Sequence, residues 1–354
     1  MDKHGRIKVC HPNSWFCQRS IRYVLTSFFL LPYLQVNLTA SKRTQIALVV
    51  LIIQNSTLVL MMHYSRMAQE PGQILYIPST AVFMAELIKI FACLSAIFYE
   101  NGQSQFLPVL HRDLVSKPRE VLKMVVPSGL YAIQNNLLYV ALSNLEAATF
   151  QVTYQLKIFS TAIFSILLLG TTLTKSKWFA LILLMVGVTL VQLPSSSSAE
   201  SNEKNNSSQQ NHTVGLLAVM ASCVSSGFAG CYFEKILKST DTSMWIRNLQ
   251  LGISGATFSL LAVLIYDYPR IAEGGMFQGY GILTWLVVIN QALGGLLVSL
   301  VVRYADNILK GFATSLSIII SSIISFKLFD FQPSLHFIFG ALLVMVSFQK
   351  LSFI

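Results

Sequence analysis

Apolar residues gather into ten runs of about 17 to 25 residues, each near the length a helix needs to cross some 30 Å of hydrocarbon. Within runs such as 46–62 and 285–302 the apolar positions do not alternate with polar ones, which excludes the short alternating strands of a closed barrel. The pattern therefore predicts helices over roughly 45–66, 74–99, 121–143, 147–169, 177–193, 213–236, 245–266, 281–303, 308–329 and 334–349. The expected fold class is all-α integral membrane, with about ten transmembrane helices.

Composition agrees with that pattern: 54% of the 354 residues are hydrophobic and 11% are charged, too little polar surface to coat a water-soluble globule. The formal charge of +10 could point to nucleic acid, but the Lys and Arg residues are divided by membrane runs and cluster in alternate loops. With the N-terminus in the cytosol, 19 of the 25 fall on the cytosolic side and only Arg66, Lys204, Arg270 and Lys327 on the other. That asymmetry puts both termini in the cytosol and leaves no case for nucleic-acid binding. Five cysteines, Cys10, Cys17, Cys93, Cys223 and Cys231, form neither a C-x-x-C motif nor a disulfide framework.

The polar stretch from Pro194 to Thr213 is rich in Ser, Asn and Gln and falls on the lumenal side, so residues 194–212 are expected to be a lumenal linker. It carries glycosylation sequons at Asn205, Asn206 and Asn211. Residues 1–44 are expected to be a cytosolic or interfacial extension, because the apolar stretch 21–36 is short and is interrupted by Pro32. The linker leaves five spans on each side, 45–193 and 213–354. Span 4 holds Leu156-Lys157-Ile158-Phe159-Ser160-Thr161, and span 9 holds Leu309-Lys310-Gly311-Phe312-Ala313-Thr314. Because five is odd, copies at matching positions cross in opposite directions, which predicts two inverted-topology five-helix repeats around a central substrate site.

Polar residues inside the runs are the candidate binding groups. A lysine at helix centre costs about 2.5–3.5 kcal/mol on insertion scales, and Lys157 has no carboxylate three or four residues away in its own helix. Lys310, with Asn307 beside it, occupies the equivalent place in the second half, and two converging ammoniums would suit a ligand with two phosphate charges. Tyr131, Gln134, Asn135 and Asn136 in span 3, and Gln151, Tyr154 and Gln155 in span 4, form polar stripes able to read a nucleobase edge or to join helices. Glu86 and Lys89 share a helix face and are expected to be a structural ion pair. The small residues Ser226-Gly227-Phe228-Ala229-Gly230 are expected to admit a neighbouring helix. His111-Arg112-Asp113-Leu114 imitates a kinase loop without the required Asn, and no P-loop, cofactor motif or metal-ligand set occurs. An enzyme is not expected, and transport would have to draw on a gradient or an exchange partner.

The blocks Ile133-Gln134-Asn135-Asn136-Leu137, Ala148 through Lys157, Ser226 through Gly230, Trp245-Ile246-Arg247-Asn248 and Tyr304 through Ser315 resemble the Golgi nucleotide-sugar transporters of the UDP-galactose, UDP-N-acetylglucosamine and CMP-sialic acid branch. The resemblance implies the drug/metabolite transporter fold in the Golgi membrane. It also implies import of a UDP-sugar in exchange for UMP, with Tyr131, Gln134, Asn135, Tyr154, Lys157, Asn248 and Lys310 lining the cavity. The lysines would face phosphate. Alternatives are another nucleotide sugar such as CMP-sialic acid, or a non-transporting scaffold for glycosyltransferases; a homo-oligomer or a glycosyltransferase complex is compatible with either. The first 40 residues and the end from Val346 depart from the family's usual form.

Overall fold

The computed structural model describes residues 40–67, 76–192, 211–329 and 335–352. The extension before residue 40, most of the linker and the sequons at Asn205 and Asn206 lie outside the described residues. Among the described residues all regular structure is helical. In chain order the helices are α1 (Ala40–Met67), α2 (Pro78–Leu110), α3 (Pro118–Asn144), α4 (Ala147–Tyr154), α5 (Leu156–Leu169) and α6 (Lys175–Gln192). They continue with α7 (His212–Ser239), α8 (Met244–Tyr266), α9 (Tyr268–Gly274), α10 (Ile282–Tyr304), α11 (Asn307–Phe329) and α12 (Leu335–Ser352).

Eight helical spans among the described residues are long and apolar enough to cross a membrane. The hydropathy pattern predicts about ten. The further two expected spans are helical but stand apart: α3 is 27 residues long and carries the amide-rich stripe, and α12 has a shorter apolar stretch, Leu335–Lys350. α2 outruns its expected end at residue 99, breaking at Gly102, whose φ of 70° is the left-handed conformation glycine tolerates, and it ends in a π-helical turn, His111–Val115. Helix starts follow local chemistry. Pro78 and Pro118 open α2 and α3 at positions whose N–H would have no helical partner. Asn211 caps α7 by accepting from the Val214 N–H at 3.3 Å.

The chain forms two compact units. The first holds residues up to Val125 together with Asp241–Tyr304; the second holds Val126–Thr240 and Ala305 onward. Each unit draws on both sides of the linker, so these units are a different partition from the two five-span segments. In the first unit α2 packs along α8, and α10 packs on α1 and α2. Buried Ala81, Ala85, Val288 and Ala292 form part of its core. In the second unit α5 packs along α7 and α6 along α12, and Ala162, Leu181, Leu184, Phe312 and Val344 form a core shared by α5, α6, α11 and α12. Glycine sets the α6–α12 approach: a Cβ on Gly340 would lie 2.6 Å from the Gly187 carbonyl oxygen. Small residues that let backbones close in are the usual device where lipid removes any hydrophobic drive between helices.

Candidate functional site

The two lysines expected to bind the cargo, Lys157 and Lys310, belong to the second unit, each just inside a helix start. The crossing that holds Lys157 is interrupted: α4 ends at Tyr154, Gln155 makes a tight turn (φ −67°, ψ −16°), and α5 begins at Leu156. At the interruption the Gln155 N–H bonds the Val152 carbonyl at 3.2 Å in place of the regular helical acceptor. The Cys223 thiol on α7 donates to the Tyr154 carbonyl at 3.5 Å and to that of Thr153 at 3.8 Å. Gln155 itself is buried and donates through its amide to Gln192 at 3.2 Å. Gln155 keeps right-handed helical dihedrals, so the interruption is a 3₁₀-like tightening of the crossing at which the Val152, Thr153 and Tyr154 carbonyls all accept hydrogen bonds.

One turn on, the half-buried Lys157 ammonium lies 4.0 Å from the centroid of the Tyr154 ring. That ring stacks on Phe150 at 5.5 Å, and the buried Gln134 lies near its hydroxyl. A cation over an aromatic face gains about 0.5–2 kcal/mol and remains charged and able to bind an anion. Among the described residues no carboxylate lies within ion-pair distance of either Lys157 or Lys310. The two ammoniums are within electrostatic reach of each other. The Glu234 carboxylate is likewise within electrostatic reach of Lys310, so the two lysines are a candidate anion site with one acidic neighbour.

Helix α7 carries both lysine-bearing helices. Toward α5, Gly227 has no room for a side chain: a Cβ there would fall 2.7 Å from the Ser160 carbonyl carbon and 2.8 Å from the Thr161 nitrogen. Cys231 adds a thiol bond to the Thr161 carbonyl at 3.4 Å. Toward α11, Gly230 faces Asn307, whose amide donates to the Gly230 carbonyl at 2.7 Å and to the Glu234 carboxylate at 2.9 Å. The Asn307 backbone N–H donates to the same carboxylate at 3.0 Å. Asp306 caps α11 by accepting from the Leu309 N–H at 2.7 Å. The small-residue block of span 6 thus admits neighbouring helices, as its composition predicts.

A family model described as "Nucleotide-sugar transporter" matches residues 39–350. The chain belongs to the nucleotide-sugar transporter family. Over 305 residues it is 53% identical to the human protein named UDP-N-acetylglucosamine transporter, spanning 85% of this chain and 93% of that one. It is 48% identical over 316 residues to the UDP-N-acetylglucosamine/UDP-N-acetylgalactosamine transporter nstp-4 of Caenorhabditis elegans, spanning 87% and 93%. It is also 48% identical over 301 residues to the bovine UDP-galactose translocator, spanning 84% and 75%. A solved crystal structure with 14% identity superimposes with a TM-score of 0.64 over 88% of this chain and 97% of its own, a likeness of fold alone. This member of the family is a multi-pass membrane protein and a transporter of nucleotide sugars rather than an enzyme.

Within this transporter the other expected binding residues fall into distinct settings. Tyr131 is half-buried on α3, and Asn135 and Asn136 are exposed, Asn136 bonding back to the Ala132 carbonyl at 3.0 Å. Asn307 is 3% exposed, and both its backbone and its amide donors are engaged within the protein. Asn248 lies in the first unit, fully buried, where its amide oxygen accepts from Ser299 at 2.6 Å. Glu86 and Lys89, also in the first unit, pair at 2.5 Å. Gly255 and Gly295 make room for that pair: a Cβ would lie 2.8 Å from the Glu86 carboxylate oxygen at the first and 3.3 Å from the Lys89 side chain at the second. A groove of about 340 Å³ in the second unit, lined by Val152, Thr153, Leu156, Met185, Val186, Thr189 and Leu190, holds no charged group and is unsuited to phosphate. Glu234 carries no flag in the sequence beyond being a carboxylate near a span end; only its contact with Asn307, far along the chain, reveals its place.

Proposed function

We propose that the transporter carries a UDP-sugar, UDP-N-acetylglucosamine or UDP-galactose, into the Golgi lumen in exchange for UMP. The observation that carries this reading is the pair Lys157 and Lys310, two ammoniums in one helical unit within electrostatic reach of each other and in no ion pair among the described residues, with the Glu234 carboxylate within electrostatic reach of Lys310. The diphosphate of the cargo supplies the missing negative charge, and lysine serves as a point charge for phosphate. On this reading Tyr131, Gln134 and Asn135 of α3 and Tyr154 of α4 would supply hydroxyl and amide groups to the nucleoside. The names of the relatives favour a UDP-linked amino sugar or galactose as cargo.

Two inverted five-helix repeats would give the alternation of access that exchange requires. In support, the most extensive packing in each unit, α2 on α8 and α6 on α12, joins a helix to the crossing five spans later. Helices on a two-fold axis meet their own counterparts in that way. Exchange also needs no ATP-binding motif, and the sequence holds none.

The test is uptake of labelled nucleotide sugars by vesicles that contain the purified protein and are preloaded with UMP, CMP or buffer. UMP-dependent uptake of a UDP-sugar is expected. Uptake that is equal in UMP-loaded and buffer-loaded vesicles would reject exchange, and preference for CMP with CMP-sialic acid would reject the choice of cargo.

A further inference from the structure

Glu234 is 1% exposed at the C-terminal end of α7, where a lone carboxylate would be costly to bury. It is fully engaged. One oxygen accepts from Lys238 at 2.6 Å, one turn on along α7. The other accepts both from the Asn307 backbone N–H at 3.0 Å and from the Asn307 amide at 2.9 Å. Lys238 also donates to the Ala305 carbonyl at 2.5 Å, so the same pair holds the last residues of the turn and the first residue of α11. Gly230 completes the seat: the Asn307 amide oxygen lies where a Cβ on residue 230 would be only 3.2 Å away.

Asn307 and Lys310 are three residues apart on α11 and so lie on neighbouring positions of one helix face. Fixing the backbone N–H and side chain of Asn307 fixes the axial position and rotation of the first turn, and with it the Lys310 stem. A carboxylate is also the natural partner for a helix N-terminus, where four N–H groups lack intrahelical acceptors. The geometry points to Glu234 as a positioning residue for substrate binding, a buried carboxylate that locks the start of α11 onto α7 and aims Lys310 at the cargo phosphate. It rests on the phosphate role proposed above for Lys310 and adds the group that sets that lysine's place. Glu234 touches no substrate; it acts through Asn307 and Lys310.

The experiment uses the full chain in vesicles and compares Glu234→Gln, Lys310→Ala and the double variant for KM and Vmax of UDP-sugar uptake. Glu234→Gln keeps the shape of the side chain and turns one acceptor into a donor that faces donors. It is expected to raise KM roughly tenfold, the scale of a lost hydrogen bond to a charged group, with a smaller change in Vmax. In the Lys310→Ala background it is expected to add nothing. An equal rise in KM in both backgrounds would overturn the proposal, because Glu234 would then act independently of the lysine. Should Glu234→Gln not accumulate, Lys238→Gln at the more exposed end of the network is expected to move KM in the same direction, with Lys238→Arg restoring it; an unchanged KM in Lys238→Gln would overturn the proposal. A separate readout is the rate at which a charged thiosulfonate reagent modifies Lys310→Cys. Glu234→Gln should change that rate several-fold, and an unchanged rate would overturn the positioning role. If Lys310→Ala leaves KM unaltered, the phosphate reading of Lys310 fails, while the modification rate still decides whether Glu234 places residue 310.

Discussion

Replacing Gly227 by alanine puts a methyl group against the backbone of the helix that bears Lys157. The new carbon would sit 2.3 Å from the Ser160 hydroxyl, 2.7 Å from its carbonyl carbon and 2.8 Å from the Thr161 nitrogen. The hydroxyl can rotate away; the backbone atoms cannot. Carbon atoms pack at about 3.5–4.0 Å, so α5 must retreat by roughly 0.8 Å or more along that contact. Overpacking of this kind costs about 1–3 kcal/mol, against which alanine returns at most about 1 kcal/mol of helix preference. Gly311→Ala supplies the control, since a Cβ there meets nothing within 4 Å and the same helix preference applies. Purified in detergent, Gly227→Ala should melt below Gly311→Ala by several degrees, at about 2–4 °C per kcal/mol. Its uptake of UDP-sugar in vesicles should fall as well, because the retreat carries Lys157 and the interrupted helix with it. Equal melting temperatures together with wild-type uptake would refute the claim that α7 seats α5 by direct backbone approach.

Two further predictions concern the first unit. Glu120 accepts from Lys123 at 2.5 Å and from the buried Arg247 at 2.6 Å, and these two cations, Lys123 first, hold its carboxyl below the usual carboxylate range. A carboxyl lowered on folding adds stability above its unfolded pKa and loses it as pH falls through the folded value. Glu120→Gln should therefore lower the melting temperature at neutral pH and flatten its decline on the acid side, whereas a profile parallel to wild type would contradict the pairing. Ser299→Ala would leave the fully buried Asn248 amide oxygen without its 2.6 Å partner. It should cost about 1–3 kcal/mol, read as a lower melting temperature with the substrate KM little changed; a raised KM at unchanged stability would instead make Asn248 a cargo contact.

Much of the membrane architecture was legible in the chain because hydrocarbon imposes length and apolarity on every crossing. The Glu86–Lys89 pair was legible for a similar reason: neighbouring charges on one helix face in lipid have little choice but to neutralise each other. Local composition likewise marked Gly227 and Gly230 as places of close approach. The interruption at Gln155 was not legible, since it holds neither proline nor glycine and its freed carbonyls are met by Cys223 from a distant helix. Nor could sequence separate amides that face cargo from amides that join helices. Asn307 and Gln134 look alike in a hydropathy pattern, yet the first is bound to Glu234 and Gly230 and the second lies buried near Tyr154. The two compact units cut across the linker because their packing pairs, α2 with α8 and α6 with α12, are tertiary facts.

If the two ammoniums hold the phosphates of the cargo, equilibrium binding will separate their contribution from that of the nucleoside. Affinities of UMP and of uridine would be measured on the purified wild-type protein and on Lys157→Ala and Lys310→Ala. Each variant should lose UMP affinity by about tenfold or more, the worth of one charged hydrogen bond, while uridine binds all three proteins alike. Undiminished UMP affinity in both variants, or an equal loss for uridine, would contradict the phosphate role of the lysines.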